Sequence, residues 1–146
     1  MLNPIENRVV GELDQNEVVR LTAEMIRKPS VSGEEKSVVE LLANFLSDHG
    51  LPAEMEEAAP GRPNLTCLWG ADEGPTLLLT GHSDTVPIGN GWTRDPFGGE
   101  LDNGKLYGRG SCDMKAGLAG MAIAMVALKR KNAASQGPRA VRRLCG

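Results

Sequence analysis

A histidine and an aspartate two residues apart, His82 and Asp84 in the stretch GHSDTVP, are the first candidates for chemistry. A neutral imidazole is a good zinc ligand, and a nearby carboxylate can accept the proton on its other ring nitrogen. Residues i and i+2 of an extended segment point to the same side, so the spacing permits this pairing. Because an H-x-D triplet is common, a surface turn without any metal remains the alternative.

A second candidate is Asp113, which stands in GRGSCDMKAG between a glycine-rich turn and a long run without charge. A carboxylate buried at this joint needs compensation. Three sources are open: the amino end of the following helix, the amides of the glycine turn, or a metal ion. Metal ligation stays among them because helix starts and strand ends are where α/β proteins place their sites.

Other reaction types find less support. Arg109 occupies the first glycine position of a G-x-S-x-G elbow, and Asp113 stands where a dinucleotide fingerprint needs its third glycine. Cys112 borders an apolar helix and is expected to pack rather than to act as a nucleophile. Lys115 is expected to pair with nearby carboxylates or carbonyls.

The elements that must position these candidates form an α/β pattern of a size that suits one domain. His82 is expected at the end of a central strand, TLLLTGH, buried on both faces. The other predicted elements are a helix from an Asp14 N-cap to before Pro29, a helix ending at Gly50, a strand over 64–69, a hairpin around LDNGK and a buried core helix over Ala116–Leu128.

Charge divides the chain into two parts. All 19 acidic residues and ten of the 16 basic residues precede residue 129, whereas the last 18 residues are basic and lack an apolar face. Residues 1–128 therefore form the predicted domain, and 129–146 are predicted to be an irregular basic tail that is not the native continuation. The acidic domain argues against nucleic acid as a partner, and the tail shows no membrane-binding face.

Cysteine usage and the amino terminus indicate a cytoplasmic protein. The three cysteines form no C-x-x-C pair, so a reducing compartment is expected. The first residues lack the basic start and apolar core of a signal peptide.

Together, TLLLTGHSDTVP and WTRDPFGGELDNGKLYGRGSCDMKAGLAGMAIAMVAL resemble the N-terminal part of the catalytic domain of a zinc metallohydrolase family. That family includes acetylornithine deacetylase, succinyl-diaminopimelate desuccinylase, aminoacylase and glutamate carboxypeptidases. The resemblance covers residues 14–128. It implies an α/β three-layer sandwich around a mixed sheet, here truncated, without the inserted lid or dimerisation domain through which such enzymes often form homodimers.

The resemblance also implies a site. His82 would bind one zinc ion, Asp113 would bridge two, and Asp84 would act in catalysis by orienting His82; Co²⁺ is a conceivable substitute for Zn²⁺. The implied reaction is hydrolysis of the amide bond of an N-acyl amino acid or small peptide.

One departure from the family concerns the acids that should follow Asp113. The family's Glu-Glu pair, which supplies the general base and a ligand, would fall just beyond Gly146, and no acidic residue follows Asp113. We therefore expect a truncated member that is inactive alone. The alternative is a non-catalytic remnant or a binding module that keeps part of the fold.

Overall fold

The computed structural model of the chain describes residues 2–70 and 76–133, and the backbone of 139–145. Its elements, in chain order, are α1 (Pro4–Val10), α2 (Gln15–Ile26), α3 (Lys36–Asp48), β1 (Ala53–Ala59), β2 (Arg62–Trp69), β3 (Thr76–His82), β4 (Glu100–Asp102), β5 (Lys105–Tyr107), an irregular turn (Ser111–Lys115), α4 (Ala116–Arg130) and β6 (Arg139–Cys145).

Four strands form a mixed sheet in the order β1-β2-β6-β3. β1 and β6 both run antiparallel to β2, and β3 runs parallel to β6. The strands β4 and β5 form a separate hairpin, as predicted. Asn103 and Gly104 connect them with positive φ angles of 49° and 74°, the conformation that a tight two-residue hairpin turn requires. The predicted α/β class with a mixed sheet is confirmed.

A single apolar core joins α2, α3 and α4 to Leu65 and Cys67 of β2. The helices therefore cover one face of the sheet, and the described residues supply two layers of the predicted three-layer arrangement. The segment Ser111–Arg130 is long and apolar enough to span a membrane by length and composition alone. In this fold α4 is instead the central core helix that its composition predicts, with buried side chains at Leu118, Ala119, Ala122, Ile123, Met125, Val126 and Ala127.

The two other predicted helices are confirmed with their end signals. The Asp14 carboxylate accepts the Asn16 N–H at 2.8 Å and so caps α2. After α3, Gly50 adopts a φ of 69°, which a residue with a side chain rarely adopts.

One sequence prediction about strands is wrong, and one strand was not predicted. β3 was expected to be buried on both faces, but Leu77 and Leu78, which point to opposite sides, are 55 % and 56 % exposed. The described helices cover only one face of the sheet, which leaves Leu78 on the other face uncovered, and Leu77 lies near the start of a strand at the sheet edge. β1 was not predicted, because its sequence AEMEEAA lacks the apolar alternation that marks a strand.

The prediction of an irregular tail is also wrong for most of the described part of 129–146. α4 continues to Arg130, and Arg139–Cys145 forms β6 between β2 and β3. A strand with neighbours on both sides has its backbone groups paired in two ladders, so pairing stabilises it even without apolar periodicity. Residues 134–138 and 146 lie outside the described residues, and the domain boundary at 128 stays a prediction.

Candidate functional site

His82, the last residue of β3, stands between two carboxylates. Its Nδ1 lies 2.9 Å from Asp84 Oδ1 and 3.1 Å from the Asp84 carbonyl oxygen. Its Nε2 lies 3.0 Å from Asp113 Oδ1. The structure thus brings together the three residues singled out in the sequence, with Asp84 on one ring nitrogen and Asp113 on the other.

Asp113 reaches His82 because the chain leaves helical geometry in the turn before α4. Its φ and ψ angles are −128° and 99°, and the peptide bond to Met114 is cis. Asp113 does not cap α4, whose N-cap position is Lys115. The side chain is 84 % exposed, so the premise of a buried carboxylate is wrong: water already solvates its charge. Cys112, expected to pack, is exposed as well.

Met114 ties this turn to the end of β3. Its sulfur accepts the backbone N–H of His82 at 3.5 Å. A Cβ at Gly81 would lie 2.7 Å from Met114 Cε and 2.9 Å from a methyl carbon of Leu118, so glycine gives these two side chains room to pack closely against the strand. Met114, the residue after Asp113, thus contacts the end of β3 that carries His82.

Lys115 anchors the same turn from the other side. Its side chain is fully buried, and Nζ donates to the carbonyl oxygens of Met25 at 3.0 Å and Lys28 at 2.8 Å, at the carboxyl end of α2. Burial lowers the pKa of Lys115 to about 8. The expected pairing with carbonyls is confirmed, but the two carbonyls lie 90 and 87 positions earlier in the sequence and are not local. A Cβ at Gly110, whose φ is 83°, would lie 3.0 Å from the lysine stem.

A segment that reads only as a turn in the sequence, residues 30–35, lies along residues 83–85. The Thr85 N–H donates to the Ser30 carbonyl at 2.7 Å, and the Ser30 hydroxyl donates to the Ser83 carbonyl at 2.8 Å. This contact places Ser32 beside Asp84. The Ser32 hydroxyl donates to Asp84 Oδ2 at 2.5 Å. The serine-rich stretch PSVSG carried the only signal, and in sequence it reads as a turn.

Glu35 secures the far end of this segment. Its carboxylate is fully buried, accepts the Gly33 N–H at 2.8 Å and pairs with Arg62 at 2.9 to 3.2 Å. Burial alone would raise the pKa of Glu35, but the Arg62 and Gly33 hydrogen bonds hold it below its usual value. Glu35 is therefore anionic and fixes the loop that carries Ser32.

The two charged neighbours also set the protonation of His82. Burial lowers the pKa of His82, but hydrogen bonds from the Asp113 and Asp84 sides outweigh it and raise the pKa above its usual value. The Ser32 hydrogen bond lowers the pKa of Asp84 against the opposing effect of burial, with a further contribution from His82. The two carboxylates thus favour the protonated form of His82, and a metal ion at Nε2 would compete with that proton.

The donor atoms fit part of a zinc site. His82 Nε2 and Asp113 Oδ1 are 3.0 Å apart, close to the separation of about 3.3 Å between two ligands with zinc bonds of about 2.0 Å in a tetrahedron. Asp84 accepts from Nδ1, as the second nitrogen of a zinc-bound histidine requires. Among residues 2–70 and 76–133, however, no group of three His, Cys, Asp or Glu side chains is arranged to hold one metal ion, because Asp84 lies on the far ring nitrogen of His82. Catalytic zinc usually has three protein ligands, so these residues hold only part of a site.

The chain is similar in sequence to known proteins. Residues 78–141, which include His82 and Asp113, match the profile of Peptidase family M20/M25/M40. Succinyl-diaminopimelate desuccinylase 2 from Ruegeria sp. strain TM1040 is 47 % identical over 111 residues, which are 74 % of this chain and 28 % of that protein. The chain therefore spans less than a third of this relative's length.

Solved structures show the same fold. An M20 family metallo-carboxypeptidase from Sulfolobus solfataricus superposes with a TM-score of 0.80 at 24 % identity, over 92 % of this chain and 31 % of the other. The aminopeptidase PepT from Bacillus cereus has a TM-score of 0.71 at 26 % identity, over 92 % of this chain and 37 % of the other. The described fold is thus similar to part of larger metallopeptidases.

Proposed function

We propose that the chain belongs to Peptidase family M20/M25/M40, whose profile matches residues 78–141, and that His82, Asp84 and Asp113 form part of the metal centre of an amide-bond hydrolase. The observation that carries this proposal is the convergence of His82 Nε2 and Asp113 Oδ1 at 3.0 Å while Asp84 occupies the other ring nitrogen. An ordinary surface turn does not require a histidine whose two ring nitrogens each contact a carboxylate.

Each residue has one role in this proposal. His82 and Asp113 would hold zinc, or cobalt in its place, with Asp113 shared between two ions. When bound, zinc supplies a Lewis acid for an amide carbonyl and lowers the pKa of water towards neutrality. Asp84 accepts the Nδ1 proton, which fixes the tautomer and leaves the Nε2 lone pair for the metal. The exposure of Asp113 and the partial exposure of His82 leave this side open to a substrate.

The proposed substrates are N-acyl amino acids or small peptides. The relatives named above include a desuccinylase, an aminopeptidase and a carboxypeptidase, and all three names describe hydrolysis of an amide bond. A cytoplasmic location, the lack of nucleic-acid and membrane partners, and homodimerisation through a domain outside this chain stay predictions.

We further propose that the 146-residue chain does not turn over substrate alone. Its described residues bring together two ligands, and no acidic residue follows Asp113 to serve as the general base. The same shortage favours a second candidate, a binding module that keeps part of the fold without chemistry.

A zinc titration against a competing chelator tests the metal centre. We expect the wild-type chain to bind zinc and His82→Ala to weaken binding by about 100-fold or more, because a ligand is lost. His49→Ala is the matched control, since the only other histidine bonds to the Phe45 carbonyl at the end of α3. Equal zinc affinity of wild type and His82→Ala would contradict the metal centre and favour the binding module.

Hydrolysis assays with zinc or cobalt test the proposed inactivity. Acetylornithine, succinyl-diaminopimelate and dipeptides cover the proposed substrate classes. We expect no turnover by the 146-residue chain, and turnover that His82→Ala abolishes would show that this chain contains a complete site.

A further inference from the structure

We propose that Ser32 is a positioning residue of this centre, and that its hydroxyl holds Asp84 in the orientation that presents His82 to the metal. The inference rests on the proposed function and deepens it, because it adds a residue distant in sequence to the support of the metal ligand. Its basis is the chain of contacts from Ser32 through Asp84 to His82.

The two oxygens of Asp84 have different partners. Oδ2 accepts from the Ser32 hydroxyl at 2.5 Å, and Oδ1 faces His82 Nδ1 at 2.9 Å. A hydroxyl that donates to a carboxylate makes a short, charge-assisted hydrogen bond of about this length. Because each oxygen is committed, rotation of the carboxylate about its own axis would break both contacts. Ser32 thereby fixes the plane of the acceptor that orients the imidazole.

The position of Ser32 is set by buried structure on both sides of it. Before it, Ser30 makes three hydrogen bonds to Ser83 and Thr85, at 2.7, 2.8 and 3.4 Å, and all three residues are almost fully buried. A parallel bridge between Val31 and Thr85 continues this contact.

After Ser32, the buried Glu35 fixes the backbone of Gly33 and is itself paired with Arg62. Ser32 lies between these anchors and is exposed. Water could satisfy its hydroxyl, so its contact with Asp84 follows from how the segment is held and not from a need to pair a buried group.

The experiment measures zinc affinity of the 146-residue chain by chelator competition for variants that differ in one hydroxyl. Ser32→Val and Ser32→Thr have nearly the same shape, and only threonine keeps the donor. We expect Ser32→Val and Ser32→Ala to weaken zinc binding by about 3- to 10-fold, less than the loss of a direct partner of the ligand, and Ser32→Thr to stay near wild type. Ser37→Ala, which removes an α3 hydroxyl that makes no hydrogen bond within the described residues, should change nothing.

A double-mutant cycle separates positioning from a general effect on the loop. If Ser32 acts through Asp84, Ser32→Ala should cause no further loss of zinc affinity in an Asp84→Ala background. An equal loss in both backgrounds would overturn the inference, and so would equal affinities of the valine and threonine variants. These outcomes are distinct from failure of the metal centre itself, in which His82→Ala would leave zinc binding unchanged.

Discussion

Asp113 and Lys115 are two residues apart and carry opposite charges, yet they lie in opposite environments. The Asp113 carboxylate is 84 % exposed beside His82, whereas the Lys115 ammonium is fully buried against the carbonyls that end α2. The irregular turn between them makes this possible, because two residues with non-helical angles send successive side chains to different sides. The comparison shows that the solvated carboxylate of Asp113 is available for chemistry, whereas the buried ammonium of Lys115 holds the turn in place.

The first prediction concerns the buried charge, the ammonium of Lys115. Lys115→Ala removes the stem from the core and leaves the Met25 and Lys28 carbonyls without a donor. We expect a loss of about 3 to 4 kcal/mol in the free energy of unfolding, measured by urea denaturation.

Asp113→Ala is the matched change on the exposed side. It should alter the free energy of unfolding by less than about 0.5 kcal/mol, because water replaces what the carboxylate loses. Similar losses for the two variants would show that burial does not distinguish their roles.

The second prediction concerns another buried charge, the carboxylate of Glu35. Glu35→Gln keeps the shape of the side chain but removes the charge that pairs with Arg62. We expect a loss of about 2 kcal/mol in the free energy of unfolding at pH 7, reduced from the value for a fully buried pair because Arg62 is partly exposed.

The pH dependence of this loss has a definite sign. The pKa of Glu35 is lowered in the folded chain, so its stabilisation is present above the unfolded value of 4.5 and disappears as the pH falls through the lower folded value. The difference between wild type and Glu35→Gln should therefore shrink below pH 4.5. A difference that stays constant from pH 7 to pH 3 would contradict the ion-pair account.

Sequence reasoning reached the three central side chains because their signals are local. His82 and Asp84 are two positions apart at a strand end, and Asp113 belongs to a motif that directly precedes an apolar helix. Ser32 and Glu35 lie about 50 residues before His82 and Asp84 in the sequence. Their role depends on how the loop that carries them packs against the loop that follows β3. Local patterns do not encode that contact.

The fold was predictable to a similar extent. The helices α2, α3 and α4 can be recognised in the sequence by their apolar content and end signals. The strands β1 and β6 form because they pair with neighbouring strands, which the sequence does not show. The residues of β6 include three arginines, and the tail that contains them reads as irregular in isolation. Asp113 was expected to be buried because an apolar run follows it in the sequence. In the structure, that run forms α4 and packs into the core, whereas the Asp113 side chain is exposed.

The most direct test of the proposed metal centre is ¹⁵N NMR of the His82 imidazole in the 146-residue chain during a zinc titration. His49 serves as the internal reference, because its Nδ1 faces the Phe45 carbonyl far from Asp113 in sequence. The account predicts that zinc moves the Nε2 resonance of His82 while Nδ1 keeps its proton, held by Asp84. Unchanged His82 resonances at saturating zinc, or loss of the Nδ1 proton instead, would contradict it.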